Sequence, residues 1–142
     1  MALYSLAVRT LGTSSPIASV EFIARAKTAR ILEITGVFVP GVTSSYYLAR
    51  CGVIGAGPSP LAFTPDDPAS PAATMIAAVT WSSPPLIPGV AIRRVSLGSG
   101  AASGFTWRFA AGLIVRPGSS VAFWGGPNAT NAVIDLHCVI EE

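Results

Sequence analysis

The sequence is poor in charge and in the residue types that carry chemistry. Its 142 residues include nine Lys and Arg, seven Asp and Glu, two Cys and one His. Charged residues make up 11% of the chain, against about 25% in a typical soluble domain. With a single histidine the His clusters of cupin-type metal sites are excluded, and two cysteines plus that histidine do not make a zinc site. A histidine-dependent dyad or triad must use His137, whose same-face neighbour on a strand is Asp135. The simpler reading of His137 is an imidazole set against a neighbouring strand. No G-x-S-x-G elbow occurs. Gly98-Ser99-Gly100 with Gly104 has neither of the phosphate-loop spacings, and no helix follows it. No catalytic, cofactor-binding or metal-ligating residue is nominated, and no cofactor.

Long apolar runs are lacking too. The mean hydropathy of +0.58 is high, yet nothing approaches the ~18–20 residues of a spanning helix. Phe109 to Val115 contains Gly112, and Glu21, Glu33 and Arg94 interrupt the other apolar stretches. MALYSLAVRTLG has no basic leader and no continuous apolar segment, so no signal peptide and no membrane partner are expected. The net charge of +2 comes with scattered cations, not with the basic stripe of a nucleic-acid binder. Cys51 and Cys138 read as small buried hydrophobes, with pairing left open. A surface with so little charge is expected to be covered by other subunits, the alternative being solubility from Ser, Thr, Gly and Pro.

What is present is strand pattern. In Gly104–Trp124 the rings of Phe105, Trp107 and Phe109 fall at every second position, and a strand turns them to one side. Gly112 interrupts the run and Leu113-Ile114-Val115 resumes it, so three strands and two reversals are expected. Arg116-Pro117-Gly118-Ser119 suits a type II turn: Pro117 presets φ and Gly118 accepts a positive φ. Gly125-Gly126-Pro127-Asn128 closes the stretch. Further strands are expected at Leu3–Arg9, Ile17–Arg25, Ala29–Val39, Ser44–Val53, Thr74–Ser82, Val90–Leu97 and Asn131–Ile140. In Ala29–Val39, Leu32, Ile34 and Phe38 share one face, and Ile31, Val37 and Val39 share the other with Glu33 and Thr35. Thr74–Ser82 is expected to present Ala77, Val79 and Trp81 together, and Glu141-Glu142 to end in solvent.

The stretch from Gly55 to Pro71 holds five prolines, which excludes a central strand. It is expected to pack over the domain or reach a neighbour. Asp66-Asp67 lies between prolines and reads as a turn, since two adjacent carboxylates lack the further oxygen ligands of a calcium site. Asn128-Ala129-Thr130 matches a glycosylation sequon, which carries little weight alone. The expected fold is therefore all-β: one domain over 1–142, an antiparallel β-sandwich or jelly roll of about 8–10 strands without substantial helix. Trp81, Trp107 and Trp124 could form a sugar-stacking platform if exposed, with Trp124 the best placed because it falls out of phase with Phe123.

Arg93-Arg94-Val95-Ser96-Leu97, Trp107-Arg108-Phe109, the G-L-x-x-x-P-G-S-S hairpin of Gly112–Ser120 and the closing Asp135–Glu141 give the chain a familiar texture. It resembles small all-β structural proteins of tailed phages, especially jelly-roll capsid decoration (cement) proteins. The resemblance implies a non-enzymatic protein on the outer capsid surface of a virion. It also implies a homotrimer at threefold or quasi-threefold positions, with the major capsid protein as partner. The contact residues expected from the edge and excursion segments are Leu3, Tyr4, Leu6, Val8, Arg9, Phe63, Asp66, Asp67 and Trp124. The alternatives are a carbohydrate-binding head or a tail or baseplate component.

Overall fold

Alternating apolar and polar residues can bury one face each only if strands stack as two sheets. The computed structural model describes residues 1–11, 17–38, 44–98, 103–126 and 133–142, and shows that arrangement. The strands are β1 (Leu3–Leu11), β2 (Ala18–Ile23), β3 (Ala29–Phe38), β4 (Ser44–Val53), β5 (Leu61–Ala62) and β6 (Thr64–Pro65). They continue with β7 (Ile76–Ala78), β8 (Leu86–Pro88), β9 (Arg93–Leu97), β10 (Ser103–Val115), β11 (Ser120–Gly125) and β12 (Val133–Glu141). There is no helix among the described residues. The first sheet runs β10-β3-β12-β1-β6. The second runs β5-β7-β2-β11-β4, with β8 and β9 both paired to β4. All pairs are antiparallel, and the long ones nest: β1 with β12, β2 with β11, β3 with β10, β4 with β9. First-with-last nesting is the wrapping of a jelly roll.

Phe123 centres the core. Its ring stacks on Tyr46 and Phe105 at centroid separations of 5.1 and 5.8 Å, and Trp107 and Phe38 tilt against it at 5.9 and 6.5 Å. Phe105, Trp107 and Phe109 do line the inner wall, while Thr106 and Arg108 face out. The 116–119 turn also forms as expected: Ser119 N–H donates to Arg116 O at 3.0 Å, and Gly118 has φ +74°. The loops expected at Gly12–Pro16 and around Pro40-Gly41, most of Gly98–Gly104, Pro127-Asn128 and the sequon at Asn128–Thr130 lie outside the described residues. So do Val39 and the start of the last strand at Asn131.

Two β-bulges correct the expected faces. Gly112 does not break the run; β10 is one strand of 13 residues whose register to β3 shifts between Arg108 and Leu113. Gly112 adopts φ +72° within that shift, the backbone conformation a bulge asks of glycine. In β3 the register to β12 shifts so that Glu33 and Ile31 face consecutive residues, leaving Leu32 as the extra one. Ile31 therefore joins Ile34 and Phe38 in the core, and the outer face of β3 carries Glu33, Thr35 and Val37. The strand is thus not apolar on both faces. Strand β7 is shorter than expected, and Trp81 packs on the opposite side of the sheet from Ala77 and Val79. Glu142 does not end in solvent; its carboxylate accepts from Thr74 N–H at 2.8 Å, Thr74 Oγ1 at 2.8 Å and Met75 N–H at 2.6 Å.

Two of the three positive-φ glycines among the described residues, Gly112 and Gly118, separate strain from space. A Cβ on Gly118 meets nothing, whereas one on Gly112 would stand 2.8 Å from Arg30 Cβ on β3. Gly118→Ala is expected to cost roughly 1–2 kcal/mol from conformation alone. Gly112→Ala adds the clash and is expected to cost roughly 2–4 kcal/mol. Urea unfolding of the two variants checks the order, and equal losses would refute the bulge geometry.

Candidate functional site

The contact residues expected from sequence divide sharply in the fold. Tyr4 is buried in the core beside the paired ends of β1 and β12, and Phe63 is buried against Phe22 at 6.4 Å. Trp124 is fully buried on the far side of the second sheet, its indole N–H donating to Ala49 O at 3.3 Å. These three rings are core, which corrects their expected role and the expected exposure of Trp124. The cause is a layer that the sequence does not reveal. Segments 54–60 and 79–85 cover the outer face of the second sheet, so a residue out of phase with the main core is still buried. Leu6 and Val8 are half-buried against the core, while Leu3, Arg9, Asp66 and Asp67 are exposed.

Glu21 organises that covering layer. It is fully buried at the middle of β2. Its carboxylate accepts Ser120 Oγ–H at 2.6 Å, Trp81 Nε1–H at 2.8 Å and Gly55 N–H at 3.2 and 3.3 Å. No cation pairs with it among the described residues. A buried carboxylate persists when its lone pairs are filled by donors, and here the donors come from both covering segments and from β11. Cys51 borders the hub. Burial pushes its thiol up to about 12, opposed by the Ser120 hydrogen bond and reinforced by the Glu21 charge. Cys138 is also free and buried in the main core, where burial raises its pKa further. The two thiols belong to different apolar clusters and do not pair. The hub is a clasp: it fastens the irregular segments to the sheet.

The outer face of the first sheet is a polar ladder. Arg9 Nε donates to Asp135 Oδ1 at 2.7 Å, and Arg108 Nε to Glu33 Oε2 at 2.8 Å. These bonds hold both carboxyls below the usual range, opposed by burial and helped by the arginine charge. Asp135 is therefore committed to Arg9, not to His137, and the Asp-x-His pairing does not form. His137 is exposed opposite Ala7 and Thr35. Among the described residues no three His, Cys, Asp or Glu side chains gather as a metal site. No helix of the described residues is long and apolar enough to cross a membrane.

Two surface features remain. The first is an open cleft of about 430 Å³ where β10, the edge of the first sheet, meets β4 of the second, lined by Arg50, Ile114, Arg116 and Ser119. Arg50 Nη2 spans the sheets and donates to Ile114 O at 2.9 Å. The adjacent β2–β3 and β10–β11 turns are tied by Gly118 N–H to Ala24 O at 3.0 Å, which brings Arg25 and Lys27 to the same end. None of Arg25, Lys27, Arg30, Arg50 and Arg116 has a carboxylate partner among the described residues. Two cations far apart in the sequence, Arg50 and Arg116, thus meet in one cleft. The second is an apolar knuckle on the β4–β8 edge, where Val53, Leu86, Ile87 and Val90 are exposed by 45, 52, 66 and 92%. Ile87 holds φ +57°, alone among the described non-glycine residues. For a β-branched side chain that is a true outlier. A Cβ on Gly52 would stand 2.9 Å from Ile87 Cβ, so the glycine makes room for the knuckle. A proline-flanked isoleucine gave no signal of this in the sequence.

Comparison of the chain with protein-family models, curated proteins and solved structures returns no match. The three indoles do not form a shared platform: Trp107 and Trp124 are buried, and half-buried Trp81 donates its N–H to Glu21.

Proposed function

We propose that the protein is a non-enzymatic virion structural protein. As a homotrimer it decorates the outer surface of a tailed-phage capsid and stabilises the shell by binding between major capsid protein subunits. The observation that supports this most is the knuckle. A left-handed β-branched residue costs on the order of 1–3 kcal/mol, and here that cost holds an apolar side chain out in water. Strain retained at an exposed apolar position marks a surface kept for contact. Burial of such side chains returns about 25 cal/mol per Å², and a shell repeats the contact many times. The sequence resemblance supplies the capsid as the partner, and the jelly roll is compatible with it.

The strain makes the test two-sided. Asn tolerates the left-handed region far better than Ile. Ile87→Asn is expected to leave the fold as stable as the wild type or about 1 kcal/mol more stable. The same substitution is expected to weaken binding to undecorated phage shells at least about tenfold, the effect of losing one buried aliphatic anchor. Co-sedimentation with shells and urea unfolding give the two readouts. A variant that binds shells like the wild type would contradict the role of the knuckle, and wild-type protein that does not bind shells would contradict the function.

A further inference from the structure

We infer that the Arg50–Arg116 cleft receives the Asp66-Asp67 turn of a second copy of this chain, so that copies join head to tail into a closed ring. This rests on the homo-oligomer part of the reading above and names its contact. The cleft is open, is lined by Arg50, Arg116 and Ser119, and has Arg30 opposite Ile114 on the neighbouring strand. Two guanidinium groups without a carboxylate partner among the described residues call for a carboxylate-rich occupant.

The chain carries such a group at the opposite edge. Asp66 and Asp67 are adjacent, exposed and bounded by Pro65 and Pro68, which stiffen the turn. Each is held locally: Ser5 Oγ–H donates to Asp66 Oδ1 at 2.7 Å, and Ala69 N–H to Asp67 Oδ1 at 2.9 Å. Those bonds engage Oδ1 of each carboxylate and fix the turn's orientation. Of the other five acids, Glu21 is held in the hub, Glu33 and Asp135 on arginines and Glu142 on Thr74 and Met75, and Glu141 is a single half-buried carboxylate on β12. The Asp66-Asp67 turn is therefore the acidic feature best placed to fill the cleft.

Register fixes the geometry. Ile114 faces Arg30, Arg30 faces Glu141, and Glu141 faces Leu3, whose carbonyl accepts Asp66 N–H at 2.9 Å. Cleft and acidic turn thus lie on one row of the first sheet, at its two edges, four strand spacings or about 19 Å apart. A head-to-tail contact between unlike surfaces gives a ring when it has no rise and a filament when it has one. The two halves of this contact are unlike surfaces at opposite edges of one sheet, which is the head-to-tail relation, and in the proposed assembly its rotation closes as a ring.

The test reverses charge on one side, then on both. By light scattering and sedimentation, the wild type is expected at three times the 14.5 kDa chain mass. Arg116→Glu alone, or Asp66→Lys with Asp67→Lys, is expected to raise the dissociation constant about 100-fold. All three substitutions in one chain are expected to restore assembly to within about tenfold of wild type. Asp66→Asn with Asp67→Asn keeps the Ser5 and Ala69 acceptors while removing the charge, and is expected to weaken assembly in a folded protein with an unchanged circular dichroism spectrum. A wild-type trimer indifferent to every reversal overturns this contact and leaves the trimer standing. A wild-type monomer overturns the contact and the trimer together, and a trimer that ignores capsids bears only on the capsid.

Discussion

Glu21→Ala is expected to remove roughly 3–6 kcal/mol of folding stability, while Glu21→Gln removes no more than about 1 kcal/mol. Alanine leaves three donors without an acceptor: the Ser120 hydroxyl, the Trp81 indole N–H and the Gly55 amide. Each donor stranded away from water costs about 1–3 kcal/mol. Glutamine keeps the shape. With its oxygen at the Oε2 position it accepts from Trp81 and Gly55, and its amide donates to a rotated Ser120 hydroxyl. It also takes a buried charge without a cation out of the sheet, which offsets weaker hydrogen bonds. Amide exchange supplies a local readout. Across the two covering segments Ala56 N–H donates to Ser83 O at 2.8 Å and Ser82 N–H to Ala56 O at 3.0 Å, and both amides are expected to lose protection in Glu21→Ala ahead of the main core. Equal destabilisation by Ala and Gln would contradict the clasp.

Phe123→Ala is expected to cost about 3–5 kcal/mol, more than truncating any other ring of the cluster. Phe123 is fully buried and touches four aromatic neighbours, two of them stacked at interplanar angles of 11° and 9°. Phe105 is only half-buried, so Phe105→Ala is expected to cost less. Aromatic pairs add about 0.5–1.5 kcal/mol each beyond area, and the alanine forfeits several together. Urea unfolding gives the ranking, and the near-ultraviolet circular dichroism of Trp107 reports loss of the stack. A loss smaller than that of Phe105→Ala would place the centre of the core elsewhere.

Much of this fold was legible because alternation is a local property. The Phe105-Trp107-Phe109 face, the Pro117-Gly118 turn and the proline-rich excursion follow from neighbours in the chain, and they stand in the structure. The excursion forms only two-residue strands, one at the edge of each sheet, as its prolines require. Bulges defeat the same logic. One extra residue at Leu32 moves Ile31 to the opposite face, and nothing within β3 announces it. The candidate sites were hidden by distance. Glu21 gathers donors 34, 60 and 99 positions away, and in a strand it reads only as an outward polar residue. The cleft unites Arg50 with Arg116 because the Arg50 side chain reaches from β4 in the second sheet to Ile114 O on β10, the edge of the first, a meeting that 66 positions of sequence conceal.

Image reconstruction of undecorated phage shells incubated with the purified protein tests the central claim most directly. The account predicts added density of three sandwiches around threefold or quasi-threefold positions. The apolar knuckle of Leu86, Ile87 and Val90 is expected against the capsid protein, and the Asp66-Asp67 turn of each copy in the cleft of the next. Shells that acquire no density at saturating protein, or that bind it as isolated single copies, would contradict it.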